Sequence, residues 1–362
     1  MSICPAGGFF FQSTSGDRGN FEVVIPAPEF GLWHYWRDND DPNLKWHGPN
    51  KFCEQLRFTS VSVCESDYRT YDNDRPGNFE LLARRRDGAL IHFFRENGGS
   101  WAWSDPGALV ATETADNPSL IATGKRGRMS SAKKYLAAVI PDPEHGFVFF
   151  ERGEDEEEDL EWDMVNVESG PKILGLALIV SAIPYGPEYE HDDPCMTDIA
   201  SVTVDGHLRL SRKGMLHESE ESDEIWKHVR FGVDDLLPQL GQDFTGRPSI
   251  IQSDFNLTPI GFLGGGSHGN YELVVPRKAG GFQHLWKVNG HIVEDDHILM
   301  EKGWHAGEIV GSERYHEVSM IQSNFGYEHG NLEVVARQPH QAGFDFFWRE
   351  DDMVWKGPFT IS

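Results

Sequence analysis

Histidine, tryptophan and a basic residue recur together at fixed spacing in this chain. The phrase runs Gly31-Leu32-Trp33-His34-Tyr35-Trp36-Arg37, Gly88-Ala89-Leu90-Ile91-His92-Phe93-Phe94-Arg95, Gly281-Phe282-Gln283-His284-Leu285-Trp286-Lys287 and Gly343-Phe344-Asp345-Phe346-Phe347-Trp348-Arg349. His34, His92 and His284 share one position, Trp36, Trp286 and Trp348 a second, and Arg37, Arg95, Arg152, Lys287 and Arg349 a third. In a strand, alternation puts Leu32, His34 and Trp36 on one face and Trp33, Tyr35 and Arg37 on the other. A tryptophan face suits the apolar C–H face of a sugar, while His and Arg supply hydrogen bonds to its hydroxyls. The same groups are acid–base and oxyanion candidates for a small-molecule enzyme such as an isomerase, cyclase or lyase. They also have a structural use, since a feature repeated in every unit is usually what every unit needs to fold. Histidines and tryptophans would then fill the joints between units, with Glu22, Glu80, Glu272 and Glu333 pairing with the basic residues or capping turn amides.

The elements that position these residues are repeats. About ten residues before each phrase stands a second one, a turn feeding a strand: Gly19-Asn20-Phe21-Glu22-Val23-Val24, Gly77-Asn78-Phe79-Glu80-Leu81-Leu82, Gly269-Asn270-Tyr271-Glu272-Leu273-Val274 and Gly330-Asn331-Leu332-Glu333-Val334-Val335. The two strands form a hairpin. Pro141-Asp142-Pro143-Glu144-His145-Gly146-Phe147-Val148-Phe149-Phe150-Glu151-Arg152 is a divergent copy, and Val204-Asp205-Gly206-His207-Leu208-Arg209-Leu210 a weaker one. The turn glycines Gly31, Gly88, Gly146, Gly206, Gly281 and Gly343 recur at roughly 60-residue intervals, one of them longer by about 15. Opening strands precede each hairpin, as in Phe10-Phe11-Gln12-Ser13, Ser249-Ile250-Ile251-Gln252-Ser253 and Ser319-Met320-Ile321-Gln322-Ser323. Closing strands follow, marked by Trp46, Trp103, Trp162 and Trp355. Four short strands per unit, separated by Gly and Pro turns, predict an all-β chain folded as a single β-propeller of about six four-stranded blades. The repeats fall at approximately 1–52, 53–112, 113–169, 170–246, 247–304 and 305–362. The chain starts on an opening strand and stops on a closing one, so the ring is expected to close by side-chain packing without an exchanged strand. The long interval predicts an insertion between Glu218 and Phe244, with a short helical turn at Asp234-Asp235-Leu236-Leu237. Gln12, Gln252 and Gln322, on opening strands near the axis, are expected to point into the channel, where their amides would hold water or form the polar part of a pocket.

The glycine-punctuated phrase, the run Leu32-Trp33-His34-Tyr35-Trp36 and the tryptophan-bearing strand after it resemble the tandem repeat of the fucose-binding β-propeller lectins of bacteria and fungi. The likeness covers four units clearly and two poorly. It implies sugar bound in clefts between blades, several to a ring. Carried onto this chain, the candidate ligand-binding residues are His34, Trp36, Arg37, His92, Arg95, His284, Trp286, Lys287, Trp348 and Arg349, with Gln252 and Gln322 in the channel. Units one and five keep His34 with Trp36 and His284 with Trp286, whereas unit three has Phe149 and Glu151 there. Units one and five are therefore the expected sugar sites.

Charge narrows the partners. With 58 acidic against 32 basic residues and a net charge of −26, the average surface repels phosphate backbones and anionic lipid, so neither nucleic acid nor a membrane is an expected partner. No stretch approaches the roughly 18 apolar residues of a membrane span, and the N-terminal Met1-Ser2-Ile3-Cys4-Pro5 has no signal-peptide pattern. The reading is a soluble, cytoplasmic protein. Cys4, Cys53, Cys64 and Cys195, with no Cys-x-x-Cys pair, fit reduced thiols. The run Glu154-Asp155-Glu156-Glu157-Glu158-Asp159 fits a solvated loop, or, in a scaffold protein, an acidic rim offered to a basic partner. It lacks the alternating ligands and turn glycine of a calcium loop. His191-Asp192-Asp193 beside Cys195 are too close in sequence to converge on one ion, so no metal is expected. Asn256-Leu257-Thr258 fits a glycosylation sequon that Pro259 and the absence of an export signal argue against. No phosphate loop, dinucleotide fingerprint or nucleophile elbow occurs, and no cofactor is expected.

Overall fold

The computed structural model describes residues 6–66, 77–96, 101–123, 135–142, 144, 146–153, 161–181, 196–214, 232–235, 241–255, 257–258, 267–290, 292–294, 297–300, 303–326 and 329–362. All regular structure among them is strand. Blade 1 comprises β1 (Phe10–Gln12), β2 (Phe21–Pro26), β3 (Leu32–Arg37) and β4 (Trp46–Phe52). Blade 2 has β5 (Phe58–Glu65), β6 (Phe79–Arg85), β7 (Leu90–Arg95) and β8 (Ala108–Ala111), and blade 3 has β9 (Ser119–Thr123), β10 (Tyr135–Asp142), β11 (Gly146–Gly153) and β12 (Asp163–Glu168). Blade 4 is built from β13 (Ile173–Ser181), β14 (Met196–Thr203), β15 (Leu208–Gly214) and β16 (Gly232–Asp235). Blade 5 contains β17 (Ser249–Gln252), the two-residue β18 (Leu257–Thr258), β19 (Ser267–Pro276), β20 (Phe282–Gly290), a side hairpin of β21 (Ile292–Glu294) and β22 (His297–Met300), and β23 (Gly303–Val310). Blade 6 ends the ring with β24 (Glu317–Gln322), β25 (Leu332–Arg337), β26 (Phe344–Arg349) and β27 (Trp355–Ile361). Each blade is an antiparallel sheet with its main strands in chain order.

The inner strands β1, β5, β9, β13, β17 and β24 each touch the next, and β24 touches β1. The sheets therefore form a closed six-bladed propeller, with no strand shared between the first and last blades. The six turn glycines all sit at hairpin turns with positive φ, between 71° and 98°, a region open to glycine at little cost. Asp234 and Asp235, expected in a helical turn, lie instead in β16, where they pair with Leu210 and Arg209. A fourth strand satisfies the backbone groups of β15, which a helical turn would leave unpaired. Leu236 and Leu237, the acidic run Glu154–Asp159, His191, Asp192, Asp193, Cys195 and Asn256 lie outside the described residues.

The core is distributed over the seams between blades. One apolar cluster joins blades 6, 1 and 2 around Phe10, Phe21, Tyr35, Phe93 and Phe344. Others fill the seams 2/3 (Leu82, Leu120, Leu136), 3/4 (Ile121, Phe149, Leu178), 4/5 (Ile179, Ile250, Tyr271) and 5/6 (Val274, Phe282, Phe347). Each such side chain contributes about 1.5 to 3 kcal/mol when fully buried, so the blades hold one another.

Near the axis, a serine of one inner strand accepts an amide hydrogen bond from the next blade. Leu120 N donates to Ser62 Oγ at 2.9 Å, Leu178 N to Ser119 Oγ at 2.9 Å, Met320 N to Ser249 Oγ at 2.9 Å and Phe10 N to Ser319 Oγ at 3.2 Å. In blade 1 Phe9 replaces this serine, and the Gly8 carbonyl accepts from Val63 N at 2.7 Å and from Ser62 Oγ at 3.1 Å. The segment Ala6–Phe9 itself runs inside the ring. Ala6 bridges to Ile179 of blade 4, Gly8 bridges to Val63 of blade 2, and Phe9 N donates to Ser319 Oγ of blade 6. Arg247 enters from blade 5, is fully buried, and donates from Nη1 to the Val61 carbonyl of blade 2. Ala6–Phe9 and Arg247 thus bring side chains and backbone of four other blades together inside the ring.

Two of the opening-strand amides, Gln12 and Gln322, make contacts between neighbouring blades. Gln12 of blade 1 accepts from Asn324 N of blade 6 at 3.1 Å and donates to Asn324 Oδ1. Gln322 of blade 6 accepts from Asp254 N of blade 5 at 3.0 Å and donates to His329 O at 2.8 Å. Glu65 holds the same place in blade 2 and accepts from Thr14 N of blade 1 at 2.7 Å. These side chains latch consecutive blades, and Gln252 at the equivalent place is fully buried.

Candidate functional site

Alternation on the second hairpin strand sends one face of each blade forward and the other back. His34 and Glu22 face blade 2, while Arg37 and Tyr35 face blade 6, where Tyr35 meets Phe344. At three seams the recurring residues form a buried chain of hydrogen bonds. His34 Nε2 lies 2.8 Å from Glu22 Oε2, and Arg95 Nη1 of blade 2 lies 3.3 Å from His34 Nδ1. The same pattern is Glu80, His92 and Arg152 at 2.9 and 3.2 Å, and Glu272, His284 and Arg349 at 2.8 and 3.4 Å. His34, His92 and His284 are all 2% exposed or less. Burial lowers the pKa of the guanidinium groups of Arg95 and Arg349, against the pull of Glu22 and Glu272.

The remaining seams differ. Between blades 3 and 4 the histidine place holds Phe149, packed on Phe147, and the glutamate place holds Ala137. Between blades 4 and 5 Asp198 accepts from the Tyr271 hydroxyl. Between blades 6 and 1 the glutamate is kept as Glu333, but Phe346 replaces the histidine. Glu333 Oε1 accepts from Ser323 Oγ at 3.2 Å and Asn331 Nδ2 at 3.4 Å, whereas Oε2 is buried without a partner, as is Asn331 Oδ1. Burial pushes the Glu333 carboxyl up to about 7, opposed by Arg37. Arg37 lies 4.0 Å from the Phe21 ring centroid, donates from Nε to Asn39 Oδ1 at 2.8 Å, and is pulled down to about 10 by its own burial.

Two inter-blade clefts stand out. The cleft between blades 6 and 1 has a volume of about 520 Å³ and a lining that includes Arg37, Glu333, Asn331, Trp46, Phe346 and Trp348. Trp348 stacks on Phe346 at 5.8 Å and donates from Nε1 to Glu350 at 3.0 Å. Phe325 and the exposed Phe359 complete its aromatic walls. The cleft between blades 1 and 2 has a volume of about 580 Å³ and is lined by His34, Arg95, Trp101, Trp103, Lys51 and Asp105 among others. Trp103 stacks on Phe52 at 5.1 Å and meets His34 edge-on at 5.7 Å.

Of the residues singled out from sequence, Arg37 and Trp348 meet in the first cleft and His34 and Arg95 in the second. His92 and His284 with Arg349 are bound up in seams. Trp36 stacks on His47 at 5.0 Å, Trp286 lies between His284 and His305 at 5.8 and 5.3 Å, and half-buried Lys287 pairs in register with Trp304. The glutamates were expected to pair with basic residues, but three of them pair with the histidine of their own blade. Sequence reasoning missed Glu333, Asn331, Trp46 and Phe325 as a group. Their signal was present: a glutamate kept where its histidine had become Phe346.

Among the described residues no three His, Cys, Asp or Glu side chains converge as a metal site, and no helix is long and apolar enough to cross a membrane. Cys53 and Cys64 are free and buried, and burial pushes the Cys53 thiol up to about 12, reinforced by Asp105.

No family model matches the chain, and no curated protein matches it in sequence. Solved structures do match. A point mutant of Aleuria aurantia lectin in complex with α-methyl-L-fucoside superposes with a TM-score of 0.54 at 10% identity, covering 99% of this chain and 95% of that one. The SapL1 lectin in complex with α-methyl fucoside superposes with a TM-score of 0.53 at 10% identity, covering 97% and 94%. Over nearly its whole length, then, the chain has the β-propeller fold of these two lectins.

Proposed function

We propose that this propeller is a carbohydrate-binding protein and that the cleft between blades 6 and 1 is its sugar site. The observation that carries the reading is a buried acceptor without a partner, Glu333 Oε2, beside the Arg37 guanidinium and between tryptophan walls. A sugar presents the complementary groups. One hydroxyl donates to the carboxylate, a neighbouring oxygen accepts from the guanidinium, and the C–H face of the ring packs on Trp348 or Trp46. The bound fucosides of the two structural neighbours support a small neutral sugar as the first ligand to try.

A monosaccharide buries little area and exchanges water hydrogen bonds for protein ones, so the affinity expected is millimolar to high micromolar, about −4 to −6 kcal/mol. The test is titration calorimetry with α-methyl-L-fucoside and a panel of common monosaccharides. Saturable heat that is lost in Arg37→Ala supports the reading. No heat at millimolar concentrations of any of them overturns it.

A further inference from the structure

We propose that, in the four blades that keep the glutamate, the third residue of the second hairpin strand decides which seam can take ligand: histidine caps the glutamate of its own blade in blades 1, 2 and 5, and Phe346 leaves the cleft between blades 6 and 1 uncapped. The capping arrangement stands on the geometry of the seams; only the choice of a sugar as ligand rests on the proposed function.

Four glutamates share one environment up to a single atom. Oε1 accepts from the serine that follows the inner strand in every case: Ser13 to Glu22 at 3.3 Å, Ser66 to Glu80 at 3.0 Å, Ser253 to Glu272 at 3.3 Å and Ser323 to Glu333 at 3.2 Å. Oε2 is the atom left over. In blades 1, 2 and 5 it faces histidine Nε2 at 2.8, 2.9 and 2.8 Å. In each case Nδ1 faces an arginine Nη1 of the following blade. Arginine can only donate, so Nδ1 is the acceptor and Nε2–H the donor. One imidazole thus completes both neighbours, giving a hydrogen to the carboxylate and a lone pair to the guanidinium. In such a seam the glutamate has no oxygen left for an incoming hydroxyl, and the buried groups without a partner are donors: Arg95 Nε and the indole N–H of Trp103, Trp162 and Trp355.

A phenyl ring offers neither group. With Phe346 in place, Glu333 Oε2 has no partner, and Arg37 turns its Nε to Asn39 and lies on Phe21. The cleft linings record the same difference, because Glu333 itself lines its cleft, whereas His34 and not Glu22 lines the cleft between blades 1 and 2. An unpaired buried carboxylate is destabilising, and a ligand offsets this by supplying what imidazole supplies elsewhere: one donor beside one acceptor. Two vicinal hydroxyls do this. The ligand class is therefore a vicinal diol held between Glu333 and Arg37, the one uncapped glutamate among the described residues being Glu333.

Carbodiimide coupling of glycine ethyl ester, mapped by peptide mass spectrometry, reads carboxylate access without any sugar, and calorimetry with α-methyl-L-fucoside reads valency. In the wild type Glu333 should label at least about tenfold faster than Glu22, Glu80 and Glu272: all four are at most 4% exposed, but Oε2 of Glu333 has no hydrogen bond to give up before coupling. Phe346→His should protect Glu333 and weaken sugar binding by at least about tenfold, while His34→Phe should expose Glu22. Equal labelling of all four glutamates in the wild type overturns the proposal even if neither variant folds. So does sugar binding at three or more sites per chain, which would leave the carbohydrate reading intact. The expected labelling pattern without any sugar heat supports the cap and removes the sugar.

Discussion

Replacing Glu333 by glutamine keeps the shape of the side chain and removes its charge, which makes the pH dependence of the change diagnostic. Burial raises the carboxyl from its ordinary 4.5 to about 7 in the folded protein. Between those values the folded state holds a proton that the unfolded state has released, so stability falls as pH rises through the window. The contribution is intact below the unfolded pKa and lost above about 7. With each pKa unit worth about 1.4 kcal/mol, the full penalty above pH 7 is about 3 kcal/mol. The carboxylate is 2% exposed, so little solvent screening reduces it. Glu65, pushed up to about 7, and Asp116, pushed up to about 6, slope in the same direction. Both are present in wild type and variant and cancel in the difference. Urea unfolding followed by tryptophan fluorescence from pH 4.5 to 8.5 should therefore show Glu333→Gln close to wild type at the acid end and more stable by up to about 3 kcal/mol at the alkaline end. Parallel profiles would mean that Oε2 is solvated and ionises normally. An uncapped, water-poor carboxylate in this cleft would then be ruled out.

Other perturbations test the rest of the structure. Glu317 is buried between Arg337 and Arg247, and those charges together with His316 hold its carboxyl down at about 2 in spite of burial. Glu317→Gln should cost about 3 to 5 kcal/mol near neutral pH by stranding the arginines; this stabilisation is present above the unfolded pKa, so the difference should shrink as pH falls from 4.5 toward 2 in acid-unfolding curves. Ser319→Ala removes the acceptor for the amides of Phe9 and Phe10 and should cost about 1 to 3 kcal/mol in urea unfolding; an unchanged midpoint would show that the serine clasp is incidental. Trp348→Ala removes a half-buried cleft wall, so it should cost less than the roughly 3 to 5 kcal/mol of a fully buried tryptophan while weakening sugar binding at least about tenfold, as read by calorimetry.

Fold was legible because strand periodicity and turn glycines are local signals. The glycines at 31, 88, 146, 206, 281 and 343 announced six hairpins, and all six adopt the positive φ that excludes most other residues. Elements defined only by what they meet across the ring were not legible. Ala6–Phe9 has no periodic pattern, and its place inside the ring depends on bridges to blades 2 and 4. Arg247 looks like any linker arginine until its guanidinium reaches the Val61 carbonyl. For the glutamines on the opening strands alternation gives a face but not a partner; the partners of Gln12 and Gln322, Asn324 and Asp254, come from other blades. The candidate site lay between these cases. His34, Arg95, Arg37 and Trp348 were found from recurrence, yet recurrence marks what the blades need in common, which here is the Glu–His–Arg seam. The site that differs is marked by a failure of recurrence, Phe346.

The position of that failure has a mechanical consequence. The uncapped seam joins the first blade to the last, the joint at which this ring closes without a shared strand. It is held by the aromatic packing of Phe10, Phe21 and Trp46 against Phe344 and Phe346, and by the Gln12–Asn324 latch. At the capped seams an imidazole of one blade reaches an arginine of the next, so each polar chain also ties two sheets together. Between blades 6 and 1 that tie is missing, and Glu333 and Arg37 face each other across the cleft without it. A ligand that bridged them would restore the missing tie, and its binding energy would act on the closure of the whole ring. By linkage, ligand at ten times its dissociation constant would add about 1.4 kcal/mol to the folded state, applied at the joint where the two ends of the repeat array meet. Occupancy and ring integrity are in this way the same equilibrium seen from two sides.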